Sequence, residues 1–259
     1  MAKILLIGCG KMGQAILNGW LKSGIAKSDI SIIDPLAQVQ GFEVSSDITS
    51  YQGEPDFVLL AIKPQLADEL LPLIGEKCKS AVFVSIMAGK TTHHLSTKLL
   101  SMEVIRAMPN LPATIGSGFT ALYAPARVDA ARRAEVLKLF EACGKLVWLD
   151  DESQMDAITA LSGSGPAYIF LFAEALVQAG VELGLPKELA KQAALQTILG
   201  GADFAAQSDD DLVQLQEAVT SKGGTTAAAL EVFKDGDALK TLVSRAMAAA
   251  HKRSIELAE

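Results

Sequence analysis

Aromatic residues make up only 5% of this 259-residue chain, cysteines and histidines number three each, and no arginine precedes Arg106. Each shortage excludes something. Cys9, Cys78 and Cys143 are odd in number, far apart and set in apolar surroundings, which fits packed, reduced thiols of a cytoplasmic protein rather than a disulfide framework. His93, His94 and His251 have no Cys or His at metal-ligand spacing, so no metal site is expected. Charge or glycine interrupts every long apolar stretch, so no membrane span and no membrane partner is expected. The opening MAKILLIGCGKMG starts like a secretion signal but lacks a small-residue cleavage site. The formal net charge is −7 and is unevenly spread. Residues 1–152 hold 15 Lys and Arg against 16 Asp and Glu, whereas residues 153–259 hold 8 against 14. Such a chain is a poor nucleic-acid binder, and an anionic ligand would have to rely on local backbone N–H groups.

What the chain has in quantity is apolar residues, 50% of the total, in two different patterns. Up to about residue 152, short apolar runs alternate with amphipathic stretches. KILLIG (3–8), ISIID (30–34), FVLLAI (57–62), AVFVSI (81–86) and EVIRAM (103–108) read as strands separated by helices. Near-continuous apolar strands imply a parallel sheet covered on both faces. GSGFTALYA (116–124) and KLVWL (145–149) are expected as edge strands. Beyond Asp150, Asp151 and Glu152 no strand is expected. Helical periodicity covers 153–161, 166–183, 187–206, 209–220, 226–234 and 237–257, punctuated at Gly184, Pro186 and Gly236. YIFLFAEALVQAGVELGL is apolar almost all round, more than a domain of this size can bury alone, which implies subunit association. The expected organisation is an α/β dinucleotide-binding domain over 1–152 and an all-α domain over 153–259.

Gly8, Cys9, Gly10, Lys11, Met12 and Gly13 form a GxGxxG turn directly after a strand and opening a helix. The first glycine makes the turn, the second admits a pyrophosphate, and the third lets helix and strand approach. Asp34 ends the second strand, where a carboxylate accepts hydrogen bonds from an adenine ribose and repels a 2′-phosphate. With no arginine nearby, this favours NADH over NADPH, the alternative being that Asp34 merely caps the turn before Pro35. Ala61, Ile62, Lys63 and Pro64 end the third apolar strand, and Met87, Ala88 and Gly89 end the next. Both groups fall on the ligand side of such a sheet. Asn110, in RAMPN, is either a ligand contact or a turn residue. SGSGPA (162–167) reads as a helix start with accessible N–H groups. VTSKGGTTAAAL (219–230) sets Thr220, Ser221, Thr225 and Thr226 around Gly223 and Gly224 at the mouth of another helix. One cap needs one hydroxyl, and the surplus points to a bound carboxylate.

GCGKMG, AIKP, RAMPN, SGSGPAY and VTSKGGTTAAAL, in this order and spacing, resemble the pyrroline-5-carboxylate reductase family across essentially the whole chain. Relatives often carry Pro at the position of Lys222, and a polar or basic group at that of Asp34. The resemblance implies a Rossmann domain followed by a helical dimerisation domain, with dimers in some members assembled into decamers. It implies NADH- or NADPH-dependent hydride transfer to the imine carbon of L-1-pyrroline-5-carboxylate, giving L-proline, in an active site whose SKGGTT loop comes from the partner subunit. It assigns Thr226 to the imine nitrogen and Ser221, Gly223, Gly224 and Thr225 to the substrate carboxylate. Two other readings fit less well. A β-hydroxyacid dehydrogenase would need a lysine base on the first long helix after the junction, yet none occurs there before Lys187. A nucleotide sensor without turnover would not need the hydroxyl-rich loop.

Overall fold

The computed structural model describes residues 2–257. The chain begins with β1 (Ile4–Ile7), α1 (Lys11–Lys22), β2 (Ile30–Ile33), a two-residue β3 (Val44–Ser45), β4 (Phe57–Leu60) and α2 (Ala67–Lys77). There follow β5 (Val82–Ser85), α3 (Thr92–Leu99), β6 (Val104–Met108), β7 (Gly118–Tyr123), α4 (Ala130–Phe140) and β8 (Gly144–Trp148). The strands form one 8-stranded sheet in the order β3-β2-β1-β4-β5-β6-β7-β8. All pairs are parallel except β6 with β7.

The strands are apolar at nearly every position because both faces are covered. Side chains alternate along a strand, so Ile4 and Leu6 face one way and Leu5 and Ile7 the other. Ile4, Leu6, Phe57, Leu59, Val82 and Val84 join Ile16, Leu17 and Trp20 of α1 and Val136, Leu139 and Phe140 of α4 in one core. Leu5, Ile7, Val58, Leu60 and Phe83 join Leu71 and Ile74 of α2 and Leu95 and Leu99 of α3 in the other. The buried Trp20 indole donates to the Leu139 carbonyl at 2.8 Å, tying α1 to α4. Cys9, Cys78 and Cys143 are free and buried, as expected, and burial pushes each thiol up to about 11.

One expectation about the sheet needs correction, and one strand escapes the sequence pattern. β7 is not an edge strand. It lies between β6 and β8, with Ala121 and Leu122 fully buried, and its antiparallel pairing to β6 lets β8 return parallel beside it. The opposite edge is β3, too short to show a period in sequence.

From Glu152 onward the described residues contain helices only. α5 (Gln154–Ile158) leads through a π-helical turn (Thr159–Gly163) into α6 (Gly165–Glu182). α7 (Lys187–Gln207), α8 (Leu212–Ala218), α9 (Thr225–Lys234) and α10 (Ala238–Glu256) follow. By compactness one unit comprises the residues up to Ser164 with those from Ala250 on, and a second runs from Gly165 to Ala249. In the second unit α6 packs on α7, where Gly180 leaves room for the Ala190 methyl. Asp211 closes a capping box with Gln214 at the start of α8.

Most of this second unit's apolar surface is uncovered within one chain: Phe170 is 59% exposed, Leu171 68% and Phe204 63%. Gln154–Glu182 is also long and apolar enough, by length and composition, to cross a membrane. That corrects the expectation that no run is. Few charged side chains interrupt it, and helix joins helix through the π turn rather than breaking at SGSG.

Candidate functional site

In the first unit a cleft of about 470 Å³ opens at the carboxyl ends of β1, β2 and β4. Its wall contains Gly8, Cys9, Gly10, Asp34, Ala61, Ile62 and Lys63 from the expected set. The chain reverses there because Gly8 holds φ +89°, a conformation that suits glycine, and a Cβ on it would meet the Ala61 carbonyl. A Cβ on Gly13 would collide with the Gly8 carbonyl oxygen, so helix α1 can start this close to β1 only with glycine at 13. Gly10 is the N-cap of α1 and no side chain caps that helix, which leaves first-turn N–H groups for an anion. Lys11, Met12 and Gly13 sit in the first turn of α1 and do not line the cleft. Pro64, at the start of a short 3-10 turn (Pro64–Leu66), and the mostly buried residues Met87, Ala88 and Gly89 after β5 do not line the cleft.

Asp34 both ties the loops together and faces the cleft. Its carboxylate accepts from the Cys9 N–H at 2.7 Å, the Leu36 N–H at 2.8 Å and the Ala37 N–H at 2.9 Å. Burial pushes this carboxyl up, but the three N–H donors outweigh it and hold the group below its usual value. It is therefore ionised near neutrality. Of the other ionisable side chains in the wall, Asp47 is acidic and lies on the β2–β3 side of β1, while Lys63 is basic and lies on the β4 side. Asp47, Ser46 and Gln14 were not foreseen. The available signal was SDIT (46–49), since the Asp47 carboxylate accepts from the Thr49 N–H at 2.9 Å and caps a 3-10 turn.

Two other expected groups are used within the chain. Asn110 donates its amide N–H groups to the Ser162 carbonyl at 3.2 Å and hydroxyl at 3.1 Å, and its oxygen accepts from the Phe119 N–H at 2.9 Å. All of these bonds are internal. The expectation that SGSG opens a helix with free N–H groups is corrected: the Ser164 N–H donates to the Thr159 carbonyl at 2.9 Å, continuing the π turn.

In the second unit the VTSKGGTT stretch forms a tight loop between α8 and α9. The Thr220 hydroxyl donates to the Gln216 carbonyl at 2.6 Å and ends α8. The Gly224 N–H donates to the Ser221 carbonyl at 3.0 Å, Gly223 takes φ +71°, and a Cβ on Gly224 would strike the Ser221 hydroxyl. Helix α9 then begins at Thr225 with Gly224 as N-cap and no side-chain cap. By contrast α3, α4 and α8 are capped by Thr91, Asp129 and Asp211. The hydroxyls beside α9 leave its N–H groups open.

The family model described as pyrroline-5-carboxylate reductase dimerisation matches residues 152–257, and one described as NADP oxidoreductase, coenzyme F420-dependent, matches residues 3–89. Pyrroline-5-carboxylate reductase of Pseudomonas aeruginosa is 39% identical over 99% of this chain and 97% of its own. The chain belongs to the pyrroline-5-carboxylate reductase family. The Haemophilus influenzae member is 37% identical over 98% of this chain and 97% of its own. Among solved structures, the Plasmodium falciparum pyrroline carboxylate reductase with NADP bound superposes with a TM-score of 0.91. It is 30% identical and covers 100% of this chain and 98% of its own. The Coxiella burnetii member superposes at 0.90, with 33% identity over 100% of this chain and 99% of its own. This membership agrees with the Rossmann-type sheet followed by helices. A dimerisation match over the helical part also accounts for its uncovered apolar faces.

Proposed function

We propose that this chain, acting in the cytoplasm as a homodimer, reduces L-1-pyrroline-5-carboxylate to L-proline with a nicotinamide dinucleotide. The observation that carries the reading is the uncapped start of α9 amid hydroxyls that could have capped it. The substrate is a small ring with one carboxylate and one imine. Open N–H groups at a helix start hold a carboxylate without Lys or Arg. Ser221, Gly223, Gly224 and Thr225 take that carboxylate, and Thr226 donates to the imine nitrogen.

The cleft of the first unit fits a dinucleotide. Its pyrophosphate would lie over the uncapped start of α1, its adenosine ribose beside Asp34, and its nicotinamide toward residues 87–89. When bound, the dinucleotide supplies the hydride. The electron pair of the C=N bond then moves onto the nitrogen, which takes up a proton from solvent relayed through the Thr226 hydroxyl, so no ionisable acid or base is required. The chain's residues position and polarise the substrate. Asn110, whose amide bonds Ser162 and the Phe119 N–H, is assigned to holding the Ser162 turn rather than to touching substrate.

We infer that NADH is preferred. Asp34 and Asp47 place two carboxylates on the β2–β3 side of the cleft, where a 2′-phosphate would meet like charge. Asp34→Ala should raise the NADPH-to-NADH ratio of kcat/KM by about tenfold, roughly 1.4 kcal/mol. It should also weaken both cofactors, because Cys9, Leu36 and Ala37 lose their acceptor. An unchanged ratio measured with each dinucleotide would leave Asp34 as a turn residue.

The reading that the partner subunit supplies the α9 loop has its own test. One chain carrying Gly13→Ala and another carrying Thr226→Ala are mixed, unfolded and refolded together. In a two-fold dimer with shared sites, mixed dimers keep one intact site, so activity returns to about a quarter of wild type. If each chain supplied its own loop, no activity would return.

A further inference from the structure

Residues 87–91, between β5 and α3, are fixed at both ends. At the upstream end the Met87 N–H donates to the Ser85 hydroxyl at 3.2 Å. The downstream tie comes from far away in sequence. Glu152, just after β8, accepts the Thr92 N–H at 2.7 Å and the Thr92 hydroxyl at 2.6 Å, at the first residue of α3. The same carboxylate accepts from Arg106 Nη1 at 2.9 Å. Arg106 is a β6 residue only 3% exposed, and its Nη2 has no partner among the described residues. One carboxylate thus joins β6, the start of α3 and the segment that leads into α5. It occupies the place an anion would take, at a helix start beside a buried guanidinium.

We propose that Glu152 is a positioning residue for hydride transfer. Acting through Thr92 and Arg106, it holds residues 87–91 in the form that orients the nicotinamide. The proposal rests on the reductase reading above. It does not place Glu152 in contact with substrate or cofactor. The loop contains Gly89 at φ +78°, a joint that can reorient once its downstream tie is lost. Substrate binding is assigned to the α9 loop and dinucleotide affinity mainly to the cleft around the GxGxxG turn. Loosening residues 87–91 should therefore misalign the reacting atoms more than it weakens binding.

The test is steady-state kinetics on the full chain, with dinucleotide affinity measured separately by calorimetry. Glu152→Gln should lower kcat on the order of 10- to 100-fold, the scale of a small misalignment, with dinucleotide Kd changed less than about threefold. The isotope effect with dinucleotide deuterated at the transferring position should grow, because hydride transfer becomes slower than the other steps. Thr92→Val leaves the Arg106–Glu152 pair intact and should lower kcat several-fold. Thr92→Ser should recover most of that loss. If Glu152→Gln fails to fold, the Thr92 pair decides. Unaltered kcat in the variants that fold would overturn the proposal. So would kcat falling in step with Kd and folded fraction. Both of these results leave wild-type turnover intact, whereas absent wild-type turnover would overturn the reductase reading itself.

Discussion

Thr226→Ala is expected to lower kcat for pyrroline-5-carboxylate reduction on the order of a hundredfold while leaving dinucleotide affinity unchanged. Thr226 is the second residue of α9, half-buried, and its hydroxyl is not used for capping. In the proposed mechanism it donates to the imine nitrogen, where charge changes as hydride arrives. Loss of one preorganised donor at such an atom costs about 10²–10³ in rate. The dinucleotide is assigned to the cleft of the first unit, so its Kd is the control. Thr226→Ser keeps the hydroxyl and should retain most of the activity. A parallel loss of kcat and dinucleotide affinity would contradict the role given to Thr226. Thr225→Ala, which leaves the imine contact intact, should act mainly on KM for the substrate.

Gly13→Ala is expected to have the largest effect on cofactor binding. The new methyl would point at the Gly8 carbonyl oxygen, part of the backbone rather than a flexible side chain. Either α1 moves away from β1 or the Gly8 turn opens. Overpacking of this kind costs about 1–3 kcal/mol of stability. The turn whose backbone should face the pyrophosphate would also be displaced. The dinucleotide Kd should rise by at least about tenfold, with substrate carboxylate binding spared. Calorimetry with NADH gives the first quantity and proline binding the second. Gly10→Ala separates the two glycines, because a Cβ at that position meets nothing within 4 Å in the chain: it should crowd the pyrophosphate and weaken dinucleotide binding without loss of stability. Equal losses of thermal stability at 10 and 13 would show that close packing of helix and strand is not what glycine 13 provides.

The parts legible in sequence were those fixed by short-range physics. GCGKMG could be read because each glycine answers to a local demand, a left-handed turn at Gly8 and a close approach at Gly13. The strands were legible because burial on both faces makes them apolar at nearly every position. β7 was misplaced to an edge because alternation along a strand does not say which strands flank it. β3 has two residues and no period at all. SGSG reads as a helix start because Pro166 suits a first helical position and small residues leave N–H groups accessible, but the π turn carries the helix through them. In the candidate site, the open start of α9 could be read from its surplus of hydroxyls. The Arg106–Glu152–Thr92 tie could not. Its members are 14, 46 and 60 residues apart in pairs, and nothing local to any one of them announces the other two. Asp34 lies between these cases. Its position predicted either a face toward the ribose or a cap on the turn at Pro35; the Leu36 and Ala37 donors match the cap, whereas the Cys9 donor, 25 residues away, had no local signal.

The measurement that bears most directly on the central claim is initial-rate oxidation of NADH and, separately, of NADPH with L-1-pyrroline-5-carboxylate, the product being identified chemically. Turnover to L-proline, with the higher kcat/KM for NADH, is the expected result. No turnover with either dinucleotide, from folded protein that binds the dinucleotide, would contradict it.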